Sequence, residues 1–155
     1  MEIAENPEIF SGKYKFLFSR NKTKEALEFY GKNLGLTFQI ADDALDYNSE
    51  LKFFGKEIGN DFYEGKITLP IILLYQKANQ DEKKDLKKFF EKKDRSESEF
   101  NQVLILIKKY NIINECYKKA EHFINLASSS LSIFKETKEK EILKNLTSFS
   151  LERSF

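Results

Sequence analysis

All six glycines of this chain lie between Gly12 and Gly65, and none follows. Glycine lets a backbone adopt left-handed and otherwise strained conformations, so the special turns are confined to the stretch before Pro70. Beyond it no segment keeps strand alternation, whereas several keep apolar residues at helical three- and four-residue steps. With 155 residues there is room for one domain with a true core. Hydrophobic residues make up 41% and charged residues 33%, a mix that suits helices with one buried stripe and a Lys/Glu-rich outer face. The 15 Phe and 7 Tyr supply enough apolar surface to exclude disorder. The expected class is all-α, an antiparallel helical bundle.

The spacing predicts a first long helix from about Thr23 to Asp46, with Ala26, Leu27, Tyr30, Leu34, Phe38, Ala41 and Leu45 on one stripe. Gly31 and Gly35 fall inside it at about 1 kcal/mol each relative to alanine. Close packing of a neighbouring helix is the expected reason, and close approach of a ligand the alternative. Residues 48–66 form a turn-rich segment. Thr68 is placed to cap a helix with Pro70 in its first turn, running through Ile71, Ile72, Leu74 and Tyr75 to about Asn79. Residues 81–95 read as a solvated face with Leu86, Phe89 and Phe90 on one side. Ser96 and Glu99 have capping-box spacing ahead of Phe100, Val103, Leu104 and Ile107. A further stripe carries Ile113, Cys116, Tyr117, Ala120, Phe123, Ile124 and Ala127, and a last one Ile142, Leu143, Leu146 and Phe149.

The charge balance is nearly even, 26 Lys and Arg against 25 Asp and Glu, so nothing marks nucleic acid or an acidic membrane surface as a partner. One cysteine excludes an intrachain disulfide and a zinc ribbon. Cys116 reads as a core residue, and His122, the only histidine, has no partner at ligand spacing. The start MEIAENPEIF lacks a basic region followed by an apolar run, and no apolar stretch approaches the length of a membrane span. A cytoplasmic protein without a transmembrane segment is expected.

The chemistry is concentrated in Phe38-Gln39-Ile40-Ala41-Asp42-Asp43-Ala44-Leu45-Asp46. On a helix Asp42 and Asp46 stand one turn apart, with Asp43 about 100° around from Asp42. Three carboxylates there repel one another and interrupt an apolar run, so a cation is expected nearby. Two candidates remain open on the residues alone: a hard divalent ion bound through oxygen, such as Mg2+ or Mn2+, or ion pairs with Lys52, Lys56 or Lys66. Gly55-Lys56, Gly59, Asp61 and Gly65-Lys66 then set two lysines in flexible backbone just beyond the carboxylates. Carboxylates for a metal beside lysines in a Gly-rich segment suit a Mg2+-diphosphate.

The run from Tyr30 to Pro70 closely resembles the polyprenyl synthetase family, the trans-isoprenyl diphosphate synthases. It carries FQ-x-x-DD-x-x-D, then GK-x-x-G-x-D and GK-x-TLP, at the family's spacing. Residues 30–155 are covered by the resemblance, the tail fitting through Leu143, Leu146, Phe149 and Arg153. It implies a partial bundle of the isoprenoid synthase type and a trans-prenyltransferase in isoprenoid biosynthesis. Mg2+ would be held by Asp42 and Asp46 with Asp43 in support. Gln39 would hydrogen-bond at the same site, Lys56 would contact the allylic diphosphate, and Lys66 would be a second diphosphate or structural contact. Arg153 matches the family's terminal basic residue. The substrates implied are an allylic diphosphate and isopentenyl diphosphate.

The match departs from the family in two places. The first aspartate-rich motif is absent, and Gly12-Lys13-Tyr14-Lys15-Phe16-Leu17-Phe18 resembles the family's GKTA-x-LF with Tyr14 and Lys15 in place of Thr and Ala. Lys13 stands where the family's diphosphate-binding lysine stands, but the interval to Tyr30 is about three helical turns short. Residues 1–29 therefore read as a shortened start, 30–70 as the second aspartate-rich region, and 71–155 as helical scaffold. Such a chain is expected to be inactive alone and to need a separate N-terminal half-chain or a homo-oligomer. The rival readings are a non-catalytic interaction subunit and a pseudogene remnant.

Overall fold

The computed structural model describes residues 13–48 and 58–152, with side chains at 21–48 and 58–150. The described residues form seven α-helices and no strand: α1 (Lys13–Leu45), α2 (Asn60–Glu64), α3 (Leu69–Lys77), α4 (Gln80–Glu91), α5 (Glu97–Lys109), α6 (Ile112–Ser130) and α7 (Lys138–Glu152). A short 3-10 turn, Leu131–Ile133, follows α6. The all-helical class expected from the spacing is what the chain forms. Helix α1 begins before the expected Thr23, because no glycine or proline stands between Lys13 and Thr23.

The bundle is organised on the antiparallel pair α1 and α6. Thr37 donates to the Ala120 carbonyl at 3.3 Å, while Tyr30 and Leu34 pack with Ala127 and Leu131. Close approach is made by Ala44, Ala120 and Ala127, all fully buried or nearly so. It is not made by Gly31 and Gly35, where a Cβ would find nothing within 4 Å. The expectation that those glycines mark a packed helix is corrected: among the described residues nothing packs against them.

The main core gathers Ile40, Ala44, Tyr47, Phe62, Leu74, Leu86, Phe100, Val103, Ile112 and Cys116. Cys116 is fully buried, and burial pushes its thiol up to about 12, which fits a core side chain. His122 is exposed on α6 against the Phe123 ring.

Helix starts follow local chemistry. Ser96 and Glu99 form the expected capping box on α5, and Asn79 with Glu82 forms a second on α4. Both glutamates also take a lysine partner, Glu82 from across the fold and Glu99 from the end of α4. The Lys109 ammonium at 2.6 Å, the Tyr110 hydroxyl at 2.6 Å and the Asn79 amide at 2.9 Å hold Glu82 down to about 2. Lys92, then the Ser96 amide and hydroxyl, do the same for Glu99. A depressed folded pKa adds stability above the ordinary value of 4.5 that is lost as pH falls toward 2. Thermal melting followed from pH 5 to pH 2 should therefore decline, and the decline should be shallower in the Glu82→Gln, Glu99→Gln double variant.

Helix α7 departs from its sequence pattern. Ile142, Leu146 and Phe149 are 65%, 39% and 53% exposed, whereas Lys140, Thr147 and Ser150 turn inward. Lys140 is satisfied there by the Phe134 carbonyl at 2.8 Å and Glu136 at 2.7 Å. Leu143 alone of the expected stripe packs, half-buried beside Tyr30, whose hydroxyl donates to the Leu143 carbonyl. Among the described residues no helix is long and apolar enough to cross a membrane.

Candidate functional site

The C-terminal turns of α1 are anchored by Ile40, Ala41 and Ala44 in the core. That anchoring turns Gln39 and Asp42 to solvent and leaves Asp43 and Asp46 half-buried. Helical spacing puts Gln39, Asp42 and Asp46 on one face, which runs back over Gly35 and Gly31. The two glycines thus leave an open, uncharged floor leading to the carboxylates.

The three aspartates differ in what they touch. Asp46 accepts three consecutive backbone amides: Gly59 and Asn60 on Oδ1 at 3.1 Å each, and Asp61 on Oδ2 at 2.8 Å. Helix α2 has no side-chain cap of its own at Gly59, so Asp46 supplies one from a distance. Asp43 accepts the Leu69 backbone amide at the start of α3, where the Thr68 side chain makes no cap. Burial pushes the Asp43 carboxyl up, and the Asp61 charge adds to this, while the Leu69 amide opposes both. The Asp42 side chain has no hydrogen bond or ion pair among the described residues, while its backbone carbonyl accepts the Asp46 amide at 3.2 Å. Beneath the group lies the buried ring of Tyr47, kept protonated by burial and then by the charges of Asp46, Asp61 and Asp43.

The chain returns to this group through α2. Gly59 has φ +94°, and a Cβ there would lie 2.6 Å from the Phe100 ring. Gly59→Ala combines left-handed strain with that clash and should cost about 3 kcal/mol in urea unfolding. Gly65 also takes a left-handed φ, +76°, with the Arg95 guanidinium lying directly over it. Arg95 donates to the Phe90 carbonyl at 2.9 Å and the Tyr63 carbonyl at 3.3 Å, tying the end of α2 to the end of α4.

Lys66 pairs with Asp61 at 3.2 Å and Glu64 at 2.7 Å, and these two acids raise its pKa. Of the expected site residues, the structure brings together Gln39, Asp42 and Asp43 on α1 with Asp46 in the turn just after it, and carries Lys66 past them through Asp61. Lys56, Arg153 and the side chain of Lys13 lie outside the described residues, as do Lys52 and Gly55. Asp61 and Arg95 were not singled out as site residues by sequence. Asp61 had a signal in the GK-x-x-G-x-D run, whereas Arg95 sits in a lysine-rich stretch with no local mark.

Among the described residues no three acid, histidine or cysteine side chains converge into a complete metal cage. The donors present are carboxylate oxygens only, which suits a hard divalent cation. A Mg2+ ion held by these carboxylates would need phosphate oxygens and water as further ligands. A separate cleft of about 500 Å³ between α3 and α4 is lined by Ile67, Ile71, Ile72, Tyr75, Leu86 and Phe90 and contains none of the aspartates.

A sequence profile of the polyprenyl synthetase family matches residues 10–107. The all-trans-nonaprenyl-diphosphate synthase (geranyl-diphosphate specific) of Rhodobacter capsulatus is 31% identical over 137 residues, covering 88% of this chain and 42% of that protein. The crystal structure of a decaprenyl diphosphate synthase from the same organism superposes with a TM-score of 0.80 at 29% identity, covering 87% of this chain and 42% of the other. A polyprenyl synthase from Caulobacter crescentus, crystallised with calcium and isoprenyl diphosphate, superposes with a TM-score of 0.74 at 34% identity over 84% of this chain and 40% of the other. The chain therefore spans about two fifths of the length of the relatives it matches.

Proposed function

The chain belongs to the polyprenyl synthetase family, and we propose that it supplies the second-aspartate side of a Mg2+-dependent prenyl-transfer site. The observation that carries this is Asp42, exposed and unpaired among the described residues, at the end of the open face of α1 beside Asp43 and Gln39. Asp42 and Asp43 would hold the cation, Asp43 being steadied by the Leu69 amide. Gln39, on the same face, would hydrogen-bond at the site. Lys56 would take the allylic diphosphate as a point charge, and Lys66, already paired with Asp61 and Glu64, would steady the turn beside it. When bound, Mg2+ would neutralise diphosphate charge and favour departure of the leaving group. The allylic C–O bond breaks with its electrons leaving on the diphosphate. The double bond of isopentenyl diphosphate then forms the new C–C bond, and a proton is lost to the released diphosphate. No side-chain nucleophile is required, and the protein's contribution is electrostatic placement.

The chain spans two fifths of its relatives' length, and the facing half of the site would be supplied by sequence corresponding to their unmatched N-terminal part. The test is incorporation of labelled isopentenyl diphosphate onto farnesyl diphosphate with Mg2+, for this chain alone and with the unmatched N-terminal part of the Rhodobacter enzyme. Turnover is expected only in the complemented sample. No turnover there, together with no Mg2+-dependent diphosphate binding by the chain, would sink the proposal. A second reading, a non-catalytic subunit docking on a complete synthase, is favoured by the exposed Ile142, Leu146 and Phe149 of α7. It predicts co-purification that Asp42→Ala leaves intact.

A further inference from the structure

The three aspartates look equivalent in the motif, but the backbone returning at residues 59–61 treats them differently. Both oxygens of Asp46 are occupied by amides, and the Asp46 carbonyl accepts the Gly59 amide as well, at 2.9 Å. A carboxylate in that position ties residues 59–61 back to the end of α1. It also sets Asp61, and through it Lys66, beside Asp43. We propose that Asp46 is a positioning residue that staples the returning chain to the end of α1, rather than a ligand of the cation. This rests on the reading of Asp42 as the cation-side carboxylate.

The alternative requires Asp46 to release two amides, those of Asn60 and Asp61, for which no other acceptor is found among the described residues. Asn60 and Asp61 stand at the start of α2, where helical geometry supplies no partner for their amides. A cation drawing Asp46 away would orphan both. Asp42, one turn earlier, gives up nothing when a cation arrives. Among the three motif aspartates, local geometry thus leaves the role of ligand most open to Asp42.

The test is residue-resolved hydrogen exchange on the metal-free chain, followed by Mn2+ and pyrophosphate binding read by electron paramagnetic resonance. Asp46→Asn keeps one acceptor oxygen. It should retain the bonds to Gly59 and Asn60 and lose the one to Asp61, whose amide should exchange roughly tenfold faster or more. Asp46→Ala should free both Asn60 and Asp61, while Gly59 keeps its bond to the Asp46 carbonyl. If the alanine variant fails to fold, the near-isosteric asparagine variant decides. Asp42→Asn should leave these three amides unchanged, yet weaken Mn2+–pyrophosphate binding at least tenfold more than Asp46→Asn does. The proposal is overturned if the Asp61 amide exchanges alike in wild type and Asp46→Asn, or if Asp46→Asn weakens binding as much as Asp42→Asn. If the wild-type chain binds no Mn2+–pyrophosphate, the diphosphate reading fails and the exchange result alone decides the role of Asp46.

Discussion

Asp42→Ala is expected to lower Mg2+-dependent turnover of the complemented enzyme by on the order of 10²–10³-fold, the scale of removing one preorganised electrostatic contact. The melting temperature of the metal-free chain should hold or rise. Asp42 and Asp43 sit in the last turn of α1, where the helix dipole is negative and no basic residue compensates. Asp46 adds a third negative charge one turn on. A carboxylate with no partner among the described residues, placed against that field, opposes folding by a few tenths of a kcal/mol to about 1 kcal/mol. Removing it should relieve that cost while removing the cation contact. Paired turnover and thermal melting would check both halves. A variant that melts much lower would show Asp42 to be structural, and one that keeps full turnover would remove it from the site.

Phe62→Ala should destabilise the chain by about 3–5 kcal/mol in urea unfolding, the range for truncating a buried aromatic. Phe62 is fully buried on short α2, with ring centroids 5.4 Å from Phe100, 5.5 Å from Phe90 and 5.6 Å from Tyr63. It pins the returning segment to α4 and α5 from the core side, as Asp46 holds it from the other. A domain of this size has only about 5–15 kcal/mol of total stability, so the variant is expected to sit near its unfolding threshold. A loss below about 1 kcal/mol would mean that α2 repacks readily and does not depend on this anchor.

The helical class, the capping box of Ser96 and Glu99, the start of α3 at Thr68 and Pro70, and the core role of Cys116 were all legible in the residues. Each depends on contacts within a turn or two, or on an apolar period that only one side of a helix can satisfy. The family, too, was legible, because the aspartate and Gly-Lys spacings from Phe38 to Pro70 are specific. The apolar stripe of α7 was read correctly as a helical period and wrongly as a buried face. Periodicity shows that a helix has two faces, but the neighbours decide which one packs. Here Leu143 and the satisfied Lys140 face inward, leaving Ile142 and Phe149 outside.

Gly31 and Gly35 carry the same lesson in a different form. Their presence announced room beside α1, and whether a helix or open space fills that room was a tertiary fact; the structure leaves it open. The aspartates mark the boundary most sharply. Sequence placed Asp42, Asp43 and Asp46 at the end of one helix and set them near lysines and glycines, which is enough to nominate hard-cation and diphosphate chemistry. The family resemblance assigned Asp42 and Asp46 the same task, and helical spacing, which sets them one turn apart, offers nothing to separate them. Only the return of residues 59–61, thirteen to fifteen positions later, gives Asp46 three amides and leaves Asp42 open. Helices, caps and motif were determined by the sequence at short range; which carboxylate faces solvent and which holds the fold was decided by contacts between distant segments, whose hydrogen bonds no local pattern encodes.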